Sequence, residues 1–269
     1  MKFKVGLSAT IPTGEYKNEV PLYEVEGEGD IVAIKKARAD LRRLIDEDYK
    51  FLEARRIRDQ FKEIRFTEKD GKMYPHVTSI IGAIHPIDFP EGKLRQYAAR
   101  GTIVHKQIET FFKSGKWEMD PTKLEGVAFE LQLMRNGSLG FSETDCDFMG
   151  FWRKEQDNFV VMGNEEQMFN DDFVYTGSYD IYCKYQGVMS IADVKTAGDY
   201  NQEKLDRYWK QQSAYAKCKG VTRMIIIPLK PKKGDKAAPI SKPLVCDDVE
   251  GYFEKFLRDR ELFKDRFKI

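Results

Sequence analysis

Hydrophobic and polar positions change their rhythm along this chain, and the changes outline its elements. Residues 1–30 alternate in MKFKVGL and are then broken by Gly14, Pro21, Gly27 and Gly29, which predicts short strands and turns. Residues 33–65 contain no Pro or Gly, and Leu41, Leu44, Ile45, Leu52, Ile57, Phe61 and Ile64 form a broken apolar stripe, which predicts one long helix. EKDGK (68–72) reads as a turn, MYPHVTSIIGAI (73–84) follows, and Pro86 and Pro90 bound a loop. Residues 91–114 read as helical with a break near Gly101, so that Gly101 and Thr102 start the second part and Val104, Ile108 and Phe111 mark its buried face.

Residues 120–157 read as helices with loops. From 158 onward the period becomes two. NFVVMG, EEQMF, FVYTGSYDIYCKY and GVMSIADVKT are β-rich runs separated by Asn-Asp-Asp and Gln-Gly turns. A helix over 201–219, a buried strand in VTRMIIIPL (221–229), a basic Pro-containing loop (230–243) and a charged amphipathic helix (247–266) complete the chain. The core order is helix, three strands, helix, strand, helix. The expectation is an α/β fold: a mixed central sheet flanked by helices over 73–269, with an N-terminal β/helical extension over 1–72 that carries the long charged helix.

Composition narrows this. Hydrophobic residues make up 41% of the 269, enough for a core, and the net charge of +1 means that any basic surface is local. Eleven basic residues against seven acidic ones in 33–65 leave a local surplus. It fits a solvated helix face and also a nucleic-acid contact. No run of about 18 apolar residues suggests a membrane span, and MKFKVGLSATIPTGEY lacks the apolar stretch of a signal peptide, so an intracellular protein is expected. Cys146, Cys183, Cys218 and Cys246 are scattered without a C-x-x-C pair, which argues for buried free thiols and against a zinc ribbon or iron–sulfur cluster.

One stretch carries candidate chemistry: GSYDIYCKYQGVMSIADVKTA, residues 177–197. Asp193 and Lys195 are two apart on a strand and therefore project from one face. The Gln-Gly turn makes a hairpin that can bring Asp180 alongside. Two converging carboxylates offer hard oxygen ligands for Mg²⁺ or Mn²⁺, and a lysine beside them can orient or deprotonate an attacking water. A bare D-x-K also fits a surface ion pair on a hairpin.

The wider pattern resembles the RecB-type branch of the PD-(D/E)XK nucleases. Gly177, Asp180, Gly187, Asp193-Val194-Lys195-Thr196, then Gln211 and Tyr215 stand in that branch's order, as does the upstream RGTIVH with His105. YPHVTSII, with His76 at a position usually held by Ser, is similar to a segment of phage and mitochondrial genome maintenance exonucleases. The likeness covers roughly residues 73–225. It implies catalytic Asp180, Asp193 and Lys195, and a metal held by His105, Asp180, Asp193 and the Val194 carbonyl. It also places Gln211 near a metal-bound phosphate and Tyr215 against the nucleic acid, with Tyr208 extending that helix face. Glu165 takes the early acidic position, although Glu166 beside it competes. Glu109, four residues after His105, is a candidate to orient it. Read without the resemblance, His105 is an ordinary half-exposed histidine, Glu109 a surface pair, and Gln211 and Tyr215 a polar helix face.

The implied activity is metal-dependent DNA hydrolysis, foremost an exonuclease acting on single strands or free ends in phage-type replication, recombination or repair. In a phage-encoded protein the site of action is the host cytoplasm. A structure-specific endonuclease and a nucleic-acid-binding protein without catalysis are the alternatives.

Overall fold

A computed structural model describes residues 1–8, 11–14, 17–19, 22–61, 64–87, 90–136, 146–231 and 238–269; side chains at 11–14, 17–19, 52–53, 55–56, 58–60 and 91 are not described. The side chains of Arg55, Arg56 and Arg58, all of Lys62, and the centre of the basic loop at 230–243 therefore lie outside the described residues. The chain divides into two compact units, Met1–Ser79 with Val174–Thr176, and Ile80–Phe173 with Gly177–Ile269.

In the first unit, β1 (Lys2–Ser8) pairs antiparallel with β4 (Leu22–Glu28), and β2 (Ile11–Gly14) with β3 (Lys17–Glu19). Helix α1 (Ile31–Gln60) starts where the Asp30 carboxylate accepts the Val32 and Ala33 N–H groups, at 2.9 and 3.1 Å. Its apolar stripe is thinner than its sequence suggests: Leu41 is buried, but Leu44 is exposed, and Phe61 and Ile64 follow the helix end. Strands β5 (Phe66–Lys69) and β6 (Lys72–Pro75) form a hairpin whose turn residues, Asp70 and Gly71, both take positive φ, as a tight two-residue turn requires.

Helix α2 (Val77–Ile84) leads along the chain into the second unit. There α3 (Glu91–Ser114), α4 (Ala128–Asn136) and α5 (Phe148–Glu155) precede the strands β7 (Phe159–Asn170), β8 (Tyr175–Tyr185) and β9 (Val188–Lys195). Then come α6 (Gln202–Lys219), β10 (Arg223–Pro228), β11 (Leu244–Cys246) and α7 (Val249–Phe267). The result is a mixed α/β architecture with a five-stranded sheet of order β11-β10-β9-β8-β7. Strands β9 and β10 are parallel, with α6 as their crossover; β8–β9 and β10–β11 are antiparallel. Among the described residues no helix is long and apolar enough to cross a membrane.

Two expectations fail here. Helix α3 runs unbroken through Gly101, because an isolated helical glycine costs only about 1 kcal/mol and tertiary packing overrides it. His105 therefore lies deep in the helix and not in an early turn after a start at Gly101. Strand β11 was missed because three residues beside a Pro-containing loop carry almost no periodic signal.

Alternation sorts the sheet's side chains. Ile181 and Cys183 of β8, Ala192 and Val194 of β9, and Ile225 and Ile227 of β10 join Val104 and Ile108 of α3 and Phe148 and Phe151 of α5 in one core. Asp180, Asp193 and Lys195 have the opposite parity and leave that core.

Candidate active site

The β8–β9 register pairs Ile181 with Ala192, and its continuation places Asp180 opposite Asp193. Asp180 Oδ2 accepts the Val194 N–H at 2.6 Å. Its Oδ1 lies 3.3 Å from His105 Nδ1, which also lies 3.6 Å from Glu165 Oε1. His105, Glu165 and Asp180 offer ligand atoms that all lie within 4.8 Å of one another, a group able to hold a metal ion.

Glu165 reaches this group through its backbone. Its φ of 51° lies in the left-handed region, uncommon for a residue with a side chain and typical of functional positions. That conformation interrupts the alternation of β7 and separates the two neighbouring acids. Glu165 faces His105, while the Glu166 carboxylate takes the Tyr179 hydroxyl and Lys219 Nζ.

Asp193 is 1% exposed and lies outside that three-residue group. Lys195 Nζ sits 2.6 Å from the buried Asp193 Oδ2 and forms an ion pair with it. Lys195 Nζ also donates to Gln211 Oε1 at 3.1 Å and lies 5.0 Å from the centre of the Tyr208 ring. Beyond the strand, the Tyr200 hydroxyl donates to the Lys195 carbonyl and fixes the end of β9.

The charges follow from this crowding. Burial, reinforced by Asp180, pushes the Asp193 carboxyl up to about 7, with Lys195 offsetting only part of the rise. Burial also raises Asp180, but His105, Lys195 and the Val194 N–H outweigh it and bring Asp180 below the usual carboxylate range. Glu165 is raised by burial and by Asp180. Burial works against the charged forms of His105 and Lys195, but the surrounding carboxylates overcome it and raise both. Lys195 is thus an ammonium, suited to orient a water or phosphate and not to take a proton. Acid titration of His105 likewise starts above the 6.5 of free imidazole.

Two residues have roles other than those expected. The Glu109 carboxylate pairs with Lys106 at 2.9 Å and with Lys113, neighbours three and four residues away, and does not reach for His105. Its charge still helps raise Glu165. Tyr215 is 3% exposed and cannot lie against a ligand in solvent. It packs on the bare backbone of Gly177, where a Cβ would stand 2.8 Å from the Tyr215 hydroxyl oxygen. The same hydroxyl accepts from Gln211 Nε2 at 3.3 Å. Gly177, Tyr215, Gln211 and Lys195 therefore form one chain of support, which positions the lysine. Sequence reasoning also passed over a buried cation at the end of β9: Arg100 of α3, 7% exposed, whose Nη2 donates to the Thr196 carbonyl at 3.4 Å.

The four cysteines are free, Cys146 and Cys183 buried, and burial pushes the Cys183 thiol up to about 12. Neither family models nor curated proteins give a match to this chain. A solved structure described as "Crystal structure of SSO0001" aligns over 71% of this chain and 84% of its own, with 13% identity and a TM-score of 0.32.

Proposed function

We propose that this chain is a metal-dependent nuclease with a PD-(D/E)XK core, hydrolysing DNA phosphodiester bonds. The observation that carries the reading is the excess of buried acid: three carboxylates, Glu165, Asp180 and Asp193, stand against one ammonium, Lys195, and one imidazole, His105. Three buried carboxylates against two cationic groups are costly to hold, and a divalent cation is the partner that would relieve them. His105, Glu165 and Asp180 would hold Mg²⁺ or Mn²⁺. Imidazole nitrogen in the set favours Mn²⁺. A bound cation supplies Lewis acidity to a phosphoryl oxygen and lowers the pKa of water.

The chain's own groups do the rest. Lys195 holds the nucleophile or the phosphoryl oxygen in place, Gln211 fixes the ammonium, and Tyr215 on Gly177 fixes Gln211. The motif order from RGTIVH to Gln211 and Tyr215 favours an exonuclease on single-stranded DNA or free ends, in phage-type replication, recombination or repair. The test is digestion of end-labelled linear and covalently closed circular single-stranded DNA with Mg²⁺ or Mn²⁺. Cleavage of the linear form alone is expected. Cleavage of both indicates an endonuclease, and binding without cleavage by either metal removes the nuclease reading.

A further inference from the structure

Arg100 poses a physical problem that the site's carboxylates do not solve. It is 7% exposed, its Nε has no hydrogen-bond partner, and no carboxylate lies within ion-pair reach among the described residues. Its contacts are one long hydrogen bond, Nη2 to the Thr196 carbonyl at 3.4 Å, and the face of Tyr97, 5.3 Å from the guanidinium carbon. A guanidinium has five N–H donors and stays charged at any physiological pH. A buried charge left this poorly paired is expensive. The other buried arginine among the described residues is better served: Arg260 donates to the Phe173 and Ile269 carbonyls, both at 3.1 Å.

The position of Arg100 suggests what would complete it. Thr196 directly follows Lys195, so the guanidinium sits at the exit of the strand that carries Asp193 and Lys195. Helix α3 comes close there: a Cβ on Gly101 would lie 3.6 Å from Thr196 Oγ1. Five residues later the same helix delivers His105 to Asp180 and Glu165, about 7.5 Å further along its axis. One helix thus presents an imidazole to the acidic cluster and, five residues earlier, a cation with no anion in reach among the described residues.

We infer that Arg100 binds a backbone phosphate of a nucleic-acid strand, next to the phosphate at the carboxylate cluster. Guanidinium matches phosphate in shape and charge and can donate two parallel hydrogen bonds. The contact is to the backbone, so it sets the strand's register without reading sequence. This subsite rests on the nuclease reading.

The test uses the whole protein and a fluorescein-labelled 20-nucleotide single-stranded DNA, with EDTA present so that nothing is cleaved. Fluorescence anisotropy is followed across a salt titration for wild type, Arg100→Met and Arg100→Lys. Arg100→Met keeps an apolar stem and is expected to weaken binding about tenfold and to lower the slope of log affinity against log salt by about one contact's worth. Arg100→Lys keeps the charge and should recover the slope but not the full affinity. Thermal melting without DNA is the second readout. A cation kept for a ligand is a burden on the free protein, so Arg100→Met should melt at or above the wild-type temperature. Unchanged affinity and slope in Arg100→Met, or wild-type protein that binds no strand, overturns the proposal; a lower melting temperature with unchanged affinity makes Arg100 structural. Arg100-dependent binding by a wild-type protein that never cleaves with Mg²⁺ or Mn²⁺ keeps the phosphate subsite and discards the nuclease reading. Cleavage with an Arg100→Met protein of unchanged KM and salt slope does the reverse.

Discussion

The second unit contains two buried ionic clusters, and they are built on opposite principles. In one, Asp259 of α7 and Lys210 of α6, 5% and 8% exposed, form an ion pair, and His85 Nε2 stands 2.8 Å from the second Asp259 oxygen and 2.9 Å from Lys210 Nζ. One acid meets one lysine, and both carboxylate oxygens are engaged. In the other, three acids face one lysine and one histidine: Lys195 pairs with Asp193, while Asp180 and Glu165 share His105. The first cluster is closed and ties α6 and α7 to the segment after α2. The second is open and carries an excess of negative charge in a place where burial makes that costly. A protein retains such an imbalance where a ligand relieves it, and this separates the candidate active site from a structural ion pair of similar burial.

The largest expected effect breaks the open cluster chemically. On the proposed nuclease reading, Asp180→Ala and Asp193→Ala should each lower cleavage by about a thousandfold or more, since each would remove a carboxylate of the proposed metal centre, worth several kcal/mol in the transition state. Circular dichroism should show an intact fold. Turnover near wild type in either variant, with metal-free controls clean, would remove these residues from catalysis.

Stability should respond in the opposite sense at the two clusters. Asp259→Ala strands the buried Lys210 and is expected to cost about 3–5 kcal/mol in denaturant unfolding. Asp193→Asn, in metal-free protein at neutral pH, should cost nothing or add stability, because it removes a carboxyl whose burial already pushes it up to about 7. If both substitutions destabilise alike, the contrast between a closed and an open cluster is wrong.

Within the open cluster the roles should separate. Lys195→Ala is expected to slow cleavage by about a hundredfold while calorimetry still detects metal binding, since the ammonium positions and does not ligate. Loss of metal binding there, with Asp193→Ala retaining it, would reverse the assignment. His105→Ala should lose more Mn²⁺-supported than Mg²⁺-supported activity, because imidazole nitrogen favours the softer ion. Equal rates in both metals before and after substitution would take His105 out of the site.

The smallest effect concerns a histidine in the other unit. His76 has the Thr67 hydroxyl 2.9 Å from its Nε2, and burial, helped by Arg65, lowers its pKa to about 4. His105, among carboxylates, moves the other way. Since the unfolded imidazole takes a proton near 6.5 and the folded one only near 4, the unfolded state gains protons first. Stability should therefore fall as pH drops from 6.5 toward 4, and the loss should be smaller in His76→Gln. Urea midpoints measured across that range check it; parallel curves for the two proteins would show that His76 titrates normally.

The chain's own pattern determined the order of elements in the second unit, the short strand β11 excepted, and the face on which Asp180, Asp193 and Lys195 stand. Both are local properties: alternation fixes a side chain's face, and the Gln-Gly turn fixes the hairpin that sets the β8–β9 register. Local pattern could not decide contacts between distant segments. Whether Glu165 or Glu166 enters the site depended on one left-handed residue in β7, which neither composition nor period encodes. Tyr215 looked like a ligand contact because helical spacing gives a face but not what covers it, and Gly177 of β8 covers it. Glu109 looked like a partner for His105 for the same reason, and nearer lysines claimed it. Arg100 was overlooked because a cation's lack of an anion is a property of everything packed around it. Period and turn chemistry act over a few residues and are written in the chain, whereas burial and charge balance are sums over neighbours that only the tertiary structure brings together.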